Sequence, residues 1–282
     1  MAVTVIPNNP EYKDLLELKA NIVFSSFNGE ELPLQLLKPQ WSSGGKGFPL
    51  VVFIQGSAWQ KPNQFSKVPQ LSHLARRGFV VASVTHRSCW QAPAPAFLQD
   101  VKAAIRFLRK NAASYDIDPE RVGVWGTSSG GNTALLVGLT ANDPAFETEE
   151  HAGFSTAVKC VVDCFGPTDL LKMTFEQYAN QEGQKLFEAL GGGLDEQGRK
   201  RLAAISPVNY IRPGRDLPPF LLLHGDADPV VLYEDSVHMH DLLNENGYQA
   251  DLVRVTNAPH EDNFWSMQLL EIIFAFIQKH LS

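Results

Sequence analysis

The sequence has few cysteines, no run of basic residues and no long apolar segment. Its three cysteines are too few and too scattered for a disulfide framework. The formal net charge of -7 argues against a nucleic-acid partner, because binding to a phosphate backbone requires a basic surface. No segment approaches 18 uninterrupted apolar residues, and the N-terminus lacks the basic and apolar regions of a secretory signal. We therefore expect a cytoplasmic protein that binds neither nucleic acid nor membranes.

The composition and the order of apolar runs predict a folded α/β protein. Hydrophobic residues make up 44% and charged residues 20% of the 282 residues, which is usual for a soluble globular chain. Short β-branched and aromatic runs alternate with segments of helical period, a pattern typical of a mostly parallel sheet with helices on both faces. Eight strands are predicted, over residues 20–27, 32–38, 50–55, 79–85, 122–125, 158–165, 220–224 and 251–255.

Three other segments complete the predicted organisation. Asn28-Gly29 favours a tight reversal and therefore an antiparallel hairpin at the sheet edge. Apolar residues recur every three or four positions in 97–111 and 263–281, which predicts two packing helices. Segment 169–217 departs from this pattern and is rich in Glu, Gln and Gly. It predicts a small cap or lid insertion within a single domain that spans 1–282.

A candidate nucleophile lies between a predicted strand and a predicted helix. Residues 126–130 read Gly-Thr-Ser-Ser-Gly, which matches the pattern Gly-x-Ser-x-Gly. In a nucleophile elbow the turn is so tight that the neighbours of the serine must be small, and its Oγ projects above the sheet. The central residue, Ser128, is therefore the predicted nucleophile. Ser129 is the competing candidate.

A serine hydroxyl needs a base to remove its proton and an acid to orient that base. Of the eight histidines, His260 lies in a loop between the last predicted strand and the C-terminal helix, where a triad in the chain order nucleophile, acid, base places its histidine. The loop after strand 220–224 contains both Asp226 and Asp228. Its position at the carboxyl end of a parallel strand suits a site residue. The residues alone leave both aspartates open as the acid.

The loop that follows strand 50–55 is a candidate oxyanion site. Such a site needs backbone N–H donors aimed at the developing alkoxide. Gln55-Gly56-Ser57-Ala58-Trp59 supplies small residues that allow the backbone to approach a ligand. The alternative is an ordinary turn of small residues.

Several stretches together resemble the α/β-hydrolase esterases, and most closely the branch of hormone-sensitive-lipase-like enzymes and bacterial feruloyl and acetyl-xylan esterases. The likeness covers nearly the whole chain and implies the α/β-hydrolase fold. It also implies a small-molecule ester as substrate, with no metal and no organic cofactor. The stretches that carry it are IQGSAW at 54–59, the segment 99–131, FGPTDL at 165–170, HGDADPVV at 224–231 and APHED at 258–262.

The resemblance also assigns site residues. It selects Asp228, the aspartate directly before the proline-valine step, as the triad acid. It implies that the backbone N–H groups of Ser57, Ala58 and Ser129 form the oxyanion hole. These relatives usually carry His-Gly-Gly where this chain has Gln55-Gly56-Ser57, so the hydrogen bonds that brace the loop must be rearranged.

The pocket is less well specified by the sequence. The resemblance implies that Trp59 walls the acyl pocket and that Asp169 is a structural or pocket-edge residue. Trp90 is a further candidate for an aromatic-tolerant pocket, together with four residues of the predicted cap. These are Met173, Phe175, Tyr178 and Phe187.

The leading hypothesis is hydrolysis of short-chain, acetyl or feruloyl esters through an acyl-enzyme. A second hypothesis keeps the triad but has it cleave an amide bond, as in aminopeptidase- or formamidase-like relatives. A third, from a different class, is a receptor that binds a small ligand without turning it over. A complete triad argues against the receptor.

Overall fold

The computed structural model describes residues 2–179 and 181–282, and within them the strands form a single eight-stranded sheet. The order across the sheet is β1-β2-β4-β3-β5-β6-β7-β8. The pairs from β4 to β8 are parallel, and β2 is antiparallel to both of its neighbours. The strands are β1 Leu16–Phe27, β2 Glu30–Pro39, β3 Phe48–Ile54, β4 Val80–Val84, β5 Ile117–Thr127, β6 Val161–Cys164, β7 Phe220–Gly225 and β8 Ala250–Val255.

All eight predicted strands are confirmed, although their ends differ. The largest difference is at β5, which begins at Ile117, five residues earlier than 122. Ile117 pairs with Phe48 before an irregularity in the register, so the strand tolerates Asp118-Pro119 there. The hairpin is confirmed as well: Asn28 and Gly29 have φ of 49° and 83° and join β2 to β1, the outermost strand on this side of the sheet.

Helices cover both faces of the sheet. Along β3, Leu50 and Val52 face one buried cluster with α2 and α4, while Val51 and Phe53 face the other with α1 and α9. This alternation is the period-two pattern of a strand buried on both faces. The helices are α1 Val68–Ala75, α2 Ala96–Lys110, α3 Ala112–Tyr115, α4 Ser129–Leu139, α5 Leu170–Lys172, α6 Gln181–Gly191, α7 Glu196–Ala204, α8 Tyr233–Glu245 and α9 Met267–Leu281.

The segment 169–217, called here the cap segment, consists of short elements rather than one long helix. Helix α5 runs directly into a π-helical turn at Met173–Gln177, and α6, α7 and a 3-10 turn at Pro207–Tyr210 follow. Phe187, Leu190 and Leu202 are buried in the same cluster as α2 and α4. The cap segment therefore shares a hydrophobic core with the sheet. No helix within the described ranges combines the length and the hydrophobicity needed to cross a membrane.

Candidate active site

Ser128 lies in a sharp turn between β5 and α4. Its φ of 53° and ψ of -124° are unusual for a residue with a side chain. The backbone N–H of Ser128 donates to the carbonyl of Cys164 on β6 at 2.9 Å. The turn is therefore held by the neighbouring strand, and it has the strand–turn–helix context predicted for the elbow.

The glycines on either side of Ser128 are required by close backbone contacts. A Cβ atom on Gly126 would lie 2.0 Å from the carbonyl oxygen of Gly130. A Cβ on Gly130 would lie 2.1 Å from the carbonyl oxygen of Ile54. Neither distance is compatible with a side chain, so the structure explains why the motif needs glycine at both positions.

The imidazole of His260 lies between Ser128 and Asp228 and contacts both side chains. The Ser128 hydroxyl lies 2.9 Å from Nε2 of His260, and Nδ1 of His260 lies 2.6 Å from Oδ2 of Asp228. The ring of Phe165 packs against the imidazole with a centroid separation of 4.6 Å. A hydrogen-bonded line therefore runs from the serine hydroxyl through the imidazole to a carboxylate.

Asp228 is held as an ionised acceptor. Its side chain is fully buried, and Oδ1 accepts the backbone N–H groups of Val230 at 2.8 Å and Val231 at 3.0 Å. Burial alone would raise the pKa of this carboxyl. Hydrogen bonds from His224 and His260 outweigh that effect and hold the pKa well below its ordinary value.

Asp226, the other candidate acid, points elsewhere. Its carboxylate accepts hydrogen bonds from the Arg254 guanidinium and from the backbone N–H of Asn257. The hydrogen bond from Arg254 lowers the pKa of Asp226. Of the two aspartates, it is Asp228 that contacts His260.

The loop after β3 lies against the elbow, as expected, but one of the three predicted oxyanion donors is already engaged in a hydrogen bond. The N–H of Ser57 donates to Oγ of Ser129 at 2.9 Å, a departure from the role that the resemblance implied for Ser57. The physical reason is that Ser129 places a hydroxyl acceptor beside this N–H. Ala58, with φ of 50°, and Ser129 border the cavity at Ser128, and among the described residues their N–H groups have no acceptor.

Gln55 explains how the loop is braced without the usual histidine. Its Oε1 accepts a hydrogen bond from the Ser66 hydroxyl at 2.9 Å, and its Nε2 donates to the carbonyl of Gly56 at 3.3 Å. The N–H of Gly56 in turn donates to Oγ1 of Thr127 at 2.9 Å. Side chains around the loop therefore supply the bracing bonds.

A cavity of about 250 Å³ opens next to Ser128. Its wall is almost entirely apolar and comes from both the sheet side and the cap segment. Tyr178 contributes its ring, while its hydroxyl donates to the carbonyl of Val230 at 2.8 Å. The lining residues are Ala58, Trp59, Ser128, Ser129, Pro167, Met173, Tyr178, Gly183, Leu186, Phe187, Val230 and Val231.

Three predicted pocket residues, Trp90, Asp169 and Phe175, lie outside this wall. Trp90 is 58% exposed and borders a separate surface depression beside Pro93, because the chain turns outward after Cys89. Asp169 caps α5: its carboxylate accepts the N–H groups of Leu171 and Lys172 at 3.0 and 3.1 Å. Trp90 is therefore removed from the pocket, and Asp169 has the structural role that the resemblance left open. Phe175 also lies outside the wall and contacts Arg199.

The structure adds residues that the sequence reasoning did not assign. His224 contacts the same oxygen of Asp228 as His260 does, and Val231 supplies both an N–H donor to Asp228 and part of the cavity wall. The signal for His224 was its position at the end of a strand, four residues before the acid. No group of three His, Cys, Asp or Glu side chains in 2–179 and 181–282 is placed to hold a metal ion.

Curated relatives of this chain include two named esterases. Esterase LipQ of Mycobacterium tuberculosis is 28% identical over 207 residues, which are 72% of this chain and 47% of LipQ. Esterase LipC of the same organism is 31% identical over 196 residues, 68% of this chain and 47% of LipC. The chain thus spans less than half the length of these two curated relatives.

Solved structures match over almost the whole chain. A truncated carbohydrate esterase from gut microbiota superposes with a TM-score of 0.80 at 28% identity, covering 97% of this chain and 98% of that one. A bifunctional GH43-CE protein of Bacteroides eggerthii gives 0.81 at 30% identity, over 96% of this chain and 38% of that protein. The model of the BD-FAE family matches residues 34–243. The chain has the α/β-hydrolase fold and belongs to the BD-FAE family.

Proposed function

We propose that this protein hydrolyses carboxylic esters through an acyl-enzyme formed on Ser128. The observation that carries the proposal is the hydrogen-bonded line from Ser128 through His260 to Asp228 beside an apolar cavity. The names of its relatives, esterases and a carbohydrate esterase, support the same reaction class.

In the first half of the proposed reaction, Oγ of Ser128 attacks the ester carbonyl carbon as its proton passes to Nε2 of His260. The N–H groups of Ala58 and Ser129 donate to the resulting oxyanion. When the tetrahedral intermediate collapses, the C–O bond to the alcohol breaks and His260 protonates the departing oxygen. The acyl group remains on Ser128.

In the second half, His260 takes a proton from a water molecule that attacks the acyl carbon. Collapse releases the carboxylic acid and returns the proton to Oγ of Ser128. Asp228 stays ionised throughout, in keeping with its lowered pKa, and stabilises the imidazolium in both halves.

The cavity favours a short, uncharged acyl group. The cavity has a volume of about 250 Å³ and an almost entirely apolar wall. Acetyl, propionyl and butyryl groups fit this space better than the larger feruloyl group. The likeness to a carbohydrate esterase supports an acylated sugar as the substrate.

The test combines active-site labelling with hydrolysis of short esters. A fluorophosphonate should label the protein at Ser128, and nitrophenyl acetate and butyrate should be hydrolysed. Ser128→Ala should abolish labelling and lower kcat by at least about 10⁴-fold, because removing the nucleophile removes the covalent step. In the matched variant Ser129→Ala, Ser128 should still be labelled. Hydrolysis of aminoacyl anilides without hydrolysis of any ester would instead identify an amidase.

A further inference from the structure

A second histidine, His224, contacts the buried carboxylate of Asp228. His224 is the fifth residue of β7, and its side chain is fully buried. Its Nε2 lies 3.2 Å from Oδ2 of Asp228, the same oxygen that accepts from His260. Nothing in the proposed reaction uses this imidazole, so a different reason is needed for a polar ring in the core.

The partners of the ring assign its protonated nitrogen. Nε2 faces two acceptors, the carbonyl oxygen of Val231 at 2.9 Å and the carboxylate of Asp228. Since neither acceptor carries a proton, Nε2 must be the donor. Nδ1 lies 2.6 Å from the Ser236 hydroxyl, which can donate to it. The contacts therefore favour the Nε2–H form. In this form Nδ1 accepts from the Ser236 hydroxyl, and the Nε2–H proton is shared between the Val231 carbonyl and the Asp228 carboxylate.

This donor completes the hydrogen bonding of Asp228. Oδ1 accepts two backbone N–H groups, and Oδ2 accepts from His260 and His224. With both oxygens occupied, the plane of the carboxylate is fixed relative to His260. Without His224, the carboxylate would lose a fixed donor on Oδ2, the oxygen that orients His260.

We propose that His224 is a positioning residue that acts through Asp228. This proposal rests on the proposed function of the triad. The other groups around it are the hydroxyl of Ser236, the ring of Tyr233 at 5.9 Å and the ring of Phe165 at 6.3 Å. The guanidinium of Arg254 lies beyond Tyr233, 5.8 Å from that ring. Asp228 is the charged group that His224 contacts directly.

Two variants of nearly equal size separate positioning from packing. His224→Gln keeps an N–H donor at similar reach, whereas His224→Met fills the space with a flexible apolar chain and no donor. His224→Met should lower kcat about 10- to 100-fold with little change in KM, because small misplacements of a catalytic group are costly. His224→Gln should stay within about threefold of the wild type.

The pH dependence of kcat/KM supplies a second test, because a purely structural role of His224 in packing would not change it. Without the donor from His224, the charge on Asp228 is less neutralised and favours the imidazolium form of His260 more strongly. In His224→Met the acidic limb of kcat/KM should therefore move to higher pH, and in His224→Gln it should not. Tyr233→Phe, which changes a neighbour of the ring but none of these bonds, is the matched control.

Equal kcat values and equal pH profiles for the Met and Gln variants would overturn the proposal. Nitrogen-15 NMR of the unmodified protein tests it even if both variants fail to fold: His224 should be protonated at Nε2, and an Nδ1–H form would refute the assignment. A wild-type protein that neither hydrolyses esters nor reacts with a fluorophosphonate would refute the proposed function instead.

Discussion

The two sides of the cavity are built in different ways. On one side, the site residues follow strands of the sheet: Ser128 follows β5, Asp228 follows β7 and His260 follows β8. This side, formed by the carboxyl ends of the parallel strands, is called here the sheet edge. On the other side, the cap segment contributes side chains such as Met173 and Phe187.

The difference lies in what fixes each position. At the sheet edge, backbone contacts leave no room for change: Gly126 and Gly130 admit no Cβ, and Asp228 is held by two backbone N–H groups. In the cap segment, the wall consists of packed side chains, among them the rings of Tyr178 and Phe187, whose centroids lie 5.8 Å apart. We infer that the sheet edge carries the chemistry and the cap segment the acyl selectivity, because side-chain walls can change without moving the backbone.

The sharpest test of the sheet edge is to remove one carboxylate charge at each of two nearby positions. Asp228→Asn should lower kcat about 10⁴-fold, because the amide no longer holds His260 in the required form. Asp226→Asn should lower it less than about tenfold, since Asp226 binds Arg254 and Asn257 rather than the imidazole. Steady-state kinetics on a nitrophenyl ester measures both. Equal losses at the two positions would contradict the assignment of the acid.

The same contrast separates what could be predicted from sequence from what could not. The strands, the elbow and the loop containing His260 were predictable because each depends on a local pattern of small, apolar or turn residues. The choice between Asp226 and Asp228 depends on which carboxylate turns toward His260, and the residues alone left it open.

Two predicted site residues have surroundings that their local sequence did not indicate. Trp90 was placed in the pocket because it is aromatic, yet the chain after Cys89 turns outward and leaves it exposed. The N–H of Ser57 is engaged because a hydroxyl on Ser129, far away in sequence, lies beside it. Both outcomes depend on contacts between distant segments, which local patterns do not encode.

A buried carboxyl beneath the elbow predicts that the stability of the folded protein depends on pH. Asp163 on β6 lies against Gly131 in the first turn of α4 and accepts the N–H of Gly166 at 2.9 Å. Burial raises the pKa of this carboxyl to about 7, although the hydrogen bond from Gly166 opposes the shift. Between pH 4 and 7 the folded protein therefore keeps a proton that the unfolded chain has lost, and its stability falls as the pH rises through this window.

Asp163→Asn should remove that dependence while keeping an acceptor for Gly166. Relative to the wild type, the variant should gain up to about 4 kcal/mol in the free energy of unfolding at pH 8, or about 1000-fold in the folding equilibrium. The gain should be much smaller at pH 5. Urea unfolding of both proteins at the two pH values measures the difference. A gain that is the same at both values would show that Asp163 does not titrate in this window.

The smallest expected effect concerns the cap segment, and it directly tests whether acyl selectivity arises in the cap segment rather than at the sheet edge. Phe187 is 2% exposed and closes the cavity between Tyr178 and Trp59. Phe187→Ala should raise the ratio of kcat/KM for octanoyl over acetyl esters about tenfold, because a larger cavity rewards a longer apolar chain. Using a ratio cancels any loss of folded enzyme. Phe175→Ala, the same change at a cap residue that contacts Arg199 outside the cavity wall, should leave the ratio unchanged. If Phe187→Ala also leaves it unchanged, the acyl group does not contact the cap segment, and selectivity must arise at the sheet edge together with the chemistry.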